Sequence, residues 1–178
     1  MDFDLVRALL NDYDRFTEIA LHLNWAAADV KHIENTEEAQ HWVFITEIRF
    51  PAGYVQAHPA ECFIQAVITH ECATEELGEN VFARMTAEER MLHLQGFAYE
   101  YHYKPEDVGQ SLGRYTAEGY AQELEQHCGH SAFAAEFFPL FSAENEMLYI
   151  GSHGCTPCWE YMTVSGDTLL MTTVSVCC

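Results

Sequence analysis

Positively charged residues are scarce in this sequence. Its 178 residues include 8 Lys and Arg against 28 Asp and Glu, which gives a formal net charge of −20 at neutral pH. No Lys or Arg occurs between Arg49 and Arg84, and none follows Arg114. Because a DNA or RNA backbone repels a surface of this sign, the charge balance excludes nucleic-acid binding through a basic face.

Long apolar runs and a basic N-terminal region are also lacking. No stretch approaches the roughly 18 apolar residues of a membrane-spanning helix. The first ten residues carry Asp2 and Asp4, whereas a secretory signal begins with a basic region. The seven cysteines are an odd number, which does not suit a framework of paired disulfides. We therefore expect a cytoplasmic protein whose thiols are reduced.

The short motifs of several enzyme classes are missing. The sequence contains no Walker A loop, no G-x-G-x-x-G turn, no EF-hand loop and no kinase signature. Residues 109–113 match the G-x-S-x-G pattern of serine hydrolases, but the apolar strand that must precede that motif is absent. We interpret this segment as a loop or a helix turn with incidental glycines.

His70 and Glu71 begin a pattern similar to the zinc-binding helix H-E-x-x-H. In that motif two histidines one turn apart bind the metal from one face of the helix. Here Thr74 occupies the position of the second histidine. We therefore interpret His70 as a surface or half-buried residue of a helix.

The composition is that of a folded domain. Hydrophobic residues make up 49% and aromatic residues 13% of the chain, values typical of a protein with a packed core. A chain of this length usually forms one domain. The sequence therefore predicts a single acidic α+β domain over residues 1–178.

Apolar residues at helical spacing, together with capping signals, predict about five helices. They are expected over residues 4–23, over 59–77, from Thr86 with Glu89 completing a capping box, over 116–127 with Thr116 as N-cap, and from Ser131 to Pro139.

Strand signals lie in the segment 41–50 and near the C-terminus. Residues 41–50 alternate in polarity, and residues 146–150, 159–164 and 168–176 are rich in β-forming residues. Ser165-Gly166-Asp167 predicts a hairpin turn between the last two. We expect the helices to pack on a small antiparallel sheet of about four strands, formed by this C-terminal meander and the 41–50 strand.

A cluster of metal-ligand residue types lies at His153, Cys155 and Cys158. The C-x-x-C spacing offers two thiolates at the separation that zinc requires, so a structural zinc ion is a possible cofactor. Over four residues, Cys155-Thr-Pro-Cys158 also resembles the C-x-P-C motif of thioredoxin-like redox proteins. Two unconnected thiols in a turn are the third interpretation.

The excess of carboxylates gives the main functional hypothesis. We expect a non-catalytic binding or inhibitor protein that masks a basic partner, as DNA-mimicking antirestriction and anti-CRISPR proteins and toxin-neutralising immunity proteins do. The partner is expected to be a nuclease or another nucleic-acid-binding protein. The candidate partner-binding residues are acids in runs without counterions: Glu34, Glu37, Glu38, Glu71, Glu75, Glu76, Glu79, Glu118, Glu123 and Glu125.

Three alternatives remain open at this stage. The acidity of a small protein can serve solubility alone. The chain could be a small metal- or thiol-dependent enzyme built around His153, Cys155 and Cys158. It could also be an assembly protein that self-associates through tyrosine and phenylalanine residues, although its high like charge opposes that association.

Overall fold

Helices packed on an antiparallel sheet form the described part of the protein, so the predicted α+β class is confirmed. The computed structural model describes residues 1–35, 41–74, 84–86, 88–89, 113–116, 146–152 and 158–176. The elements within these ranges are α1 (Phe3–Leu10), α2 (Tyr13–Leu21), β1 (Asp29–Asn35), β2 (His41–Arg49), α3 (Tyr54–Ala57), α4 (Pro59–Thr74), β3 (Gly113–Thr116), β4 (Glu146–Ser152), β5 (Cys158–Ser165) and β6 (Thr168–Val176).

The sheet has six described strands in the order β1-β2-β6-β5-β4-β3, and all neighbours are antiparallel. The four predicted strands, β2, β6, β5 and β4, are adjacent and form its centre. β5 and β6 join through the predicted turn, where Gly166 has a φ of 60° that suits glycine. The meander and its pairing with the 41–50 strand are therefore confirmed.

Both edge strands were absent from the predictions. β1 lies in a polar stretch without clear alternation, and pairing with β2 defines it as a strand. β3 pairs with β4, and Thr116, the predicted N-cap, is the last described residue of this strand, opposite Glu146, so whether it also caps the predicted helix stays a prediction. The local sequence does not determine such edges, because cross-strand hydrogen bonds stabilise them.

The predicted helix over residues 4–23 is two helices, α1 and α2. The chain breaks at Asn11 and Asp12, where the Asn11 side chain donates to the Arg7 carbonyl at 2.8 Å. The Asp12 carboxylate then accepts from the Arg15 amide at 3.1 Å and begins α2 as its N-cap. Hydrogen bonds from side chains to the backbone can end one helix and begin the next, even where the apolar spacing continues.

The other helix predictions have mixed outcomes. α4 begins at Pro59 as predicted and is described to Thr74. The capping box is confirmed: the Thr86 amide donates to Glu89 Oε2 at 2.7 Å, and the Glu89 amide donates to Thr86 Oγ1 at 3.2 Å. The predicted helix over 116–127 lies outside the described residues except for Thr116, and the predicted helix over 131–139 lies wholly outside them. No described helix has the length and apolar character needed to cross a membrane.

α4 is the central helix of the core. It packs against β2 and β6 on one side and against α1 and α2 on the other. Its residues from Cys62 to Cys72 are therefore all buried, including Gln65, His70 and Glu71. A helix enclosed in this way buries polar side chains that an amphipathic surface helix would expose.

A loop between β2 and α4 is held by the turn between β5 and β6. Asp167 in that turn accepts hydrogen bonds from the Gly53 amide at 2.8 Å and the Val55 amide at 3.1 Å. Its carbonyl also accepts from the Phe50 amide at 2.9 Å. Gly53 has a φ of 76°, a left-handed conformation that favours glycine. These contacts fix the start of α4 relative to the sheet.

Candidate functional site

A buried cluster of one histidine and two glutamates lies between α4 and the sheet. His70 and Glu71 come from α4, and Glu160 comes from β5. One potential ligand atom from each residue lies within 4.8 Å of the others. The exposed fractions are 1%, 4% and 2%, respectively, so the cluster is inside the protein.

A line of hydrogen-bonding side chains connects this cluster to the edge of the sheet. His32 Nδ1 lies 3.1 Å from Thr46 Oγ1, which lies 2.8 Å from His70 Nδ1. On the other side of the ring, His70 Nε2 lies 2.7 Å from Thr173 Oγ1, which donates to Glu160 Oε1 at 3.4 Å. The contacts run without a gap from the half-buried His32 to the buried Glu160.

The strand register explains why these side chains meet. His32 is the cross-strand partner of Thr46, and Thr173 is the partner of both Phe44 and Glu160. Alternate residues of a strand project from the same face, so the sheet presents these groups together toward α4. His70 then reaches between the two threonines.

Phe44 gives the cluster an apolar wall. Its ring centroid lies 5.6 Å from the His32 ring in a stacked arrangement and 5.4 Å from the His70 ring in a tilted one. An aromatic wall lowers the local dielectric and strengthens electrostatic interactions among the polar groups. Histidine nitrogens and carboxylate oxygens at this separation can bind a metal ion or share protons.

The structure corrects two interpretations of α4 residues. His70 is not a surface or half-buried residue, because the sheet and the α1–α2 pair enclose α4 from opposite sides. Glu71 is buried for the same reason, so it cannot belong to an exposed acidic surface. Reading α4 as a half-exposed helix caused both errors.

Glu160 and Thr173 were not recognised as candidates from the sequence. A weak signal was present, because Glu160 is the only charged residue in the predicted strand over 159–164. A carboxylate within a buried strand is costly without polar partners, so its presence there indicates that such partners lie nearby. Threonine is common in strands, and nothing in the sequence distinguishes Thr173 from its neighbours.

The remaining predicted site residues are only partly placed. Glu34 lies on β1 and Cys158 begins β5, but only their backbones are described. The other candidates lie outside the described residues: Glu37, Glu38, Glu75, Glu76, Glu79, Glu118, Glu123, Glu125, His153 and Cys155. The partner-binding surface and the zinc or redox site at the cysteines therefore stay predictions.

The first two helices display carboxylates outward. Residues 1–21 contain two arginines and five acids, and all five acids are exposed. They are Asp2, Asp4, Asp12, Asp14 and Glu18. Asp2 and Asp12 are N-caps, and Asp4 pairs with Arg7 at 3.0 Å. These roles are compatible with display, because a capping carboxylate at a surface helix end remains in contact with solvent.

A cleft of about 570 Å³ lies where the chain between α2 and β1 meets β2 and α4. Gln65 holds this chain segment: the Ala26 amide donates to Gln65 Oε1, and Gln65 Nε2 donates to the Ala26 carbonyl, both at 2.9 Å. The exposed residues Asp29 and Arg49 also line the cleft. Its walls therefore combine apolar surface with one group of each charge.

Two described cysteines, Cys62 and Cys72, are buried in α4. Burial, together with the smaller effects of the negative charges of Glu61 and Asp167, raises the pKa of the Cys62 thiol to about 12. A thiol that stays protonated is a poor nucleophile and a poor metal ligand. Cys62 therefore has a packing role.

No known protein family, no curated protein and no solved structure matches this chain. Its function is inferred from charge, burial and geometry.

Proposed function

We propose that this chain is a non-catalytic acidic binding protein that masks a basic, nucleic-acid-binding protein partner. The observation that carries the proposal is the net charge of −20, with 28 acids and 8 cations distributed so that long stretches contain no cation. The proposed action is that of a DNA mimic, an antirestriction or anti-CRISPR protein or an immunity protein. Carboxylates occupy the site where the partner binds phosphates.

Electrostatic steering suits an inhibitor of this kind. Complementary charge speeds the encounter of two proteins and disfavours partners of the wrong sign. The proposed contact residues are the predicted acids without Glu71, which is buried. They are Glu34, Glu37, Glu38, Glu75, Glu76, Glu79, Glu118, Glu123 and Glu125.

The exposed carboxylates of α1 and α2 support outward display of negative charge. Five acids and two arginines occur in residues 1–21, so this surface is itself net negative. We also infer that residues 1–178 form a single domain with about five helices, that the protein acts in the cytoplasm, and that partner masking requires no cofactor.

Competition by DNA tests the proposal. The full chain is immobilised and exposed to basic proteins that a heparin column retains from an extract of the source organism. We expect a nuclease or DNA-binding protein to be captured and then released by duplex DNA, but not by an equal mass of neutral dextran. Capture that duplex DNA does not disturb would contradict the proposal.

A matched pair of charge variants locates the contact surface. The test variant changes Glu118, Glu123 and Glu125 to glutamine. The control removes the same number of charges from exposed described residues, through Asp14→Asn, Glu18→Gln and Asp29→Asn. Both variants have the same net charge, so a difference between them reports the position of the carboxylates. We expect the test variant to lose at least tenfold in affinity for the captured partner and the control to lose less than threefold. Equal losses would show that net charge acts without a defined surface.

A further inference from the structure

The structure brings three side chains of metal-binding type together in the protein interior. We propose that His70, Glu71 and Glu160 bind one divalent transition-metal ion between α4 and the sheet. This inference is independent of the proposed partner masking, which needs no metal. It also differs from the predicted zinc site at Cys155 and Cys158, because its ligands are a nitrogen and carboxylate oxygens.

The spacing of the three ligand atoms suits a single ion. Bonds from zinc to histidine nitrogen or carboxylate oxygen are about 2.0–2.2 Å long, which places neighbouring donors roughly 3–4 Å apart. The three atoms already lie within 4.8 Å of one another. In the proposed metal-bound state, rotation of the glutamate side chains closes the remaining difference.

The hydrogen bonds orient His70 for this role. Its Nδ1 is held by the Thr46 hydroxyl at 2.8 Å. Its Nε2 faces the Glu160 side, because Thr173 Oγ1 contacts both Nε2 and Glu160 Oε1. Metal-bound histidines commonly use their second ring nitrogen in such an orienting contact. In the bound state the ion replaces the Thr173 hydroxyl at Nε2, and Thr173 keeps its contact with Glu160.

The ligand types select the class of metal. Magnesium and calcium prefer sites made only of oxygen ligands, whereas imidazole suits zinc, iron, cobalt, nickel and copper. Two carboxylates balance the charge of a divalent ion beside a neutral imidazole. The apolar wall of Phe44 strengthens that attraction, because the ions interact at a low dielectric. Zinc is the expected occupant.

Cobalt is the probe for the first experiment, since its visible absorption reports ligand type. The full chain is freed of metal by dialysis against a chelator and titrated with Co²⁺, and zinc is then added as competitor. We expect one cobalt ion per chain, displaceable by zinc. X-ray absorption of the zinc form should show nitrogen and oxygen neighbours and no sulfur.

Isosteric variants assign the ligands. Glu160→Gln and Glu71→Gln should each weaken cobalt binding at least tenfold. Thr46→Val removes the orienting contact at His70 Nδ1 together with the contact to His32, and should weaken binding roughly tenfold to a hundredfold. Glu47→Gln is the matched control, because Glu47 is a buried glutamate on the opposite face of β2 that pairs with Arg49. Glu47→Gln and the double variant Cys155→Ser/Cys158→Ser should bind within twofold of the original chain.

Three results would overturn the proposal. The first is a folded chain, verified by circular dichroism, that binds neither ion. The second is binding that Cys155→Ser/Cys158→Ser abolishes while Glu160→Gln retains it. The third is sulfur among the zinc neighbours, a readout that does not depend on whether any variant folds. If the Glu160→Gln variant still captures the partner, the proposed masking function stands even where the metal proposal is overturned.

Discussion

Cys62 lies in the first turns of α4, and its thiol is fully buried. Its pKa, raised to about 12 chiefly by burial, lies far above the ordinary value of 9.0. Thiolate, the reactive form, is therefore scarce in the folded protein near neutral pH. We predict that iodoacetamide at pH 8 leaves Cys62 unmodified in the native protein and modifies it in urea, as mass spectrometry of the peptides will show.

The same shift of the Cys62 pKa determines how stability responds to alkaline pH. The unfolded chain ionises this thiol near pH 9, whereas the folded chain keeps it protonated until about pH 12. Ionisation therefore favours the unfolded state, and the contribution of Cys62 to stability falls as the pH rises above 9. Rapid native alkylation of Cys62 at pH 8 would contradict its buried position.

His70 and Glu160 show which features of single residues could be predicted from the sequence. The sequence singled out His70 through the adjacent Glu71, yet the burial of both was missed because two layers of structure enclose α4. Glu160 was placed correctly on a strand, but its proximity to His70 depends on the register of β5, β6 and β2. Long-range register is a tertiary property that local patterns do not encode.

At the scale of elements, Gln65 connects α4 to the chain that precedes β1. Both of its hydrogen bonds go to the buried backbone of Ala26. We predict that Gln65→Leu lowers the free energy of unfolding by about 2–4 kcal/mol, because it leaves a buried amide and a buried carbonyl without a partner. Urea unfolding followed by tryptophan fluorescence measures the loss.

Gln56 provides the control for Gln65. It lies in α3 and is exposed, so Gln56→Leu makes the same chemical change without affecting buried backbone groups. We expect a change within about 0.5 kcal/mol for this variant. Equal effects of the two substitutions would mean that the bonds between Gln65 and Ala26 do not stabilise the fold.

The capping box at Thr86 and Glu89 predicts a dependence on acidic pH. Hydrogen bonds from the Thr86 amide, and then from its hydroxyl, lower the pKa of Glu89 below its ordinary value of 4.5. Its stabilising contribution is present above pH 4.5 and is lost as the pH falls through the lowered pKa. Carbon NMR of the Glu89 carboxyl should give a midpoint below 4.5.

The variant Thr86→Ala separates the two hydrogen bonds to Glu89. It removes the hydroxyl and keeps the backbone amide, so the midpoint should move only part of the way back toward 4.5. A midpoint at or above 4.5 in the original chain would show that the capping box does not form in solution.

The elements themselves were predicted where sequence periodicity and tertiary environment agree. The four central strands alternate in polarity or are rich in β-forming residues, and Pro59 marks the start of α4. The division between α1 and α2 was missed because the apolar spacing continues across Asp12, whose side chain begins a new helix. β1 and β3 were missed because they are edge strands defined by their partners.

At the scale of the whole molecule, two kinds of acid serve different purposes. Glu71 and Glu160 are buried and belong to the proposed metal site, whereas the acids of α1 and α2 are exposed. The net charge of −20 therefore overstates the charge available for a partner, but subtracting two carboxylates leaves a strongly negative surface. The sequence alone gives the number of acidic residues. Which of them are buried and which are exposed depends on the fold.

The salt dependence of partner binding tests the central claim most directly. The affinity of the full chain for the captured basic protein is measured by titration calorimetry from 50 mM to 500 mM sodium chloride. Masking by surface carboxylates predicts that affinity falls steadily with salt, and that the variant lacking Glu118, Glu123 and Glu125 shows a shallower fall. An affinity that stays constant across this range would contradict the account.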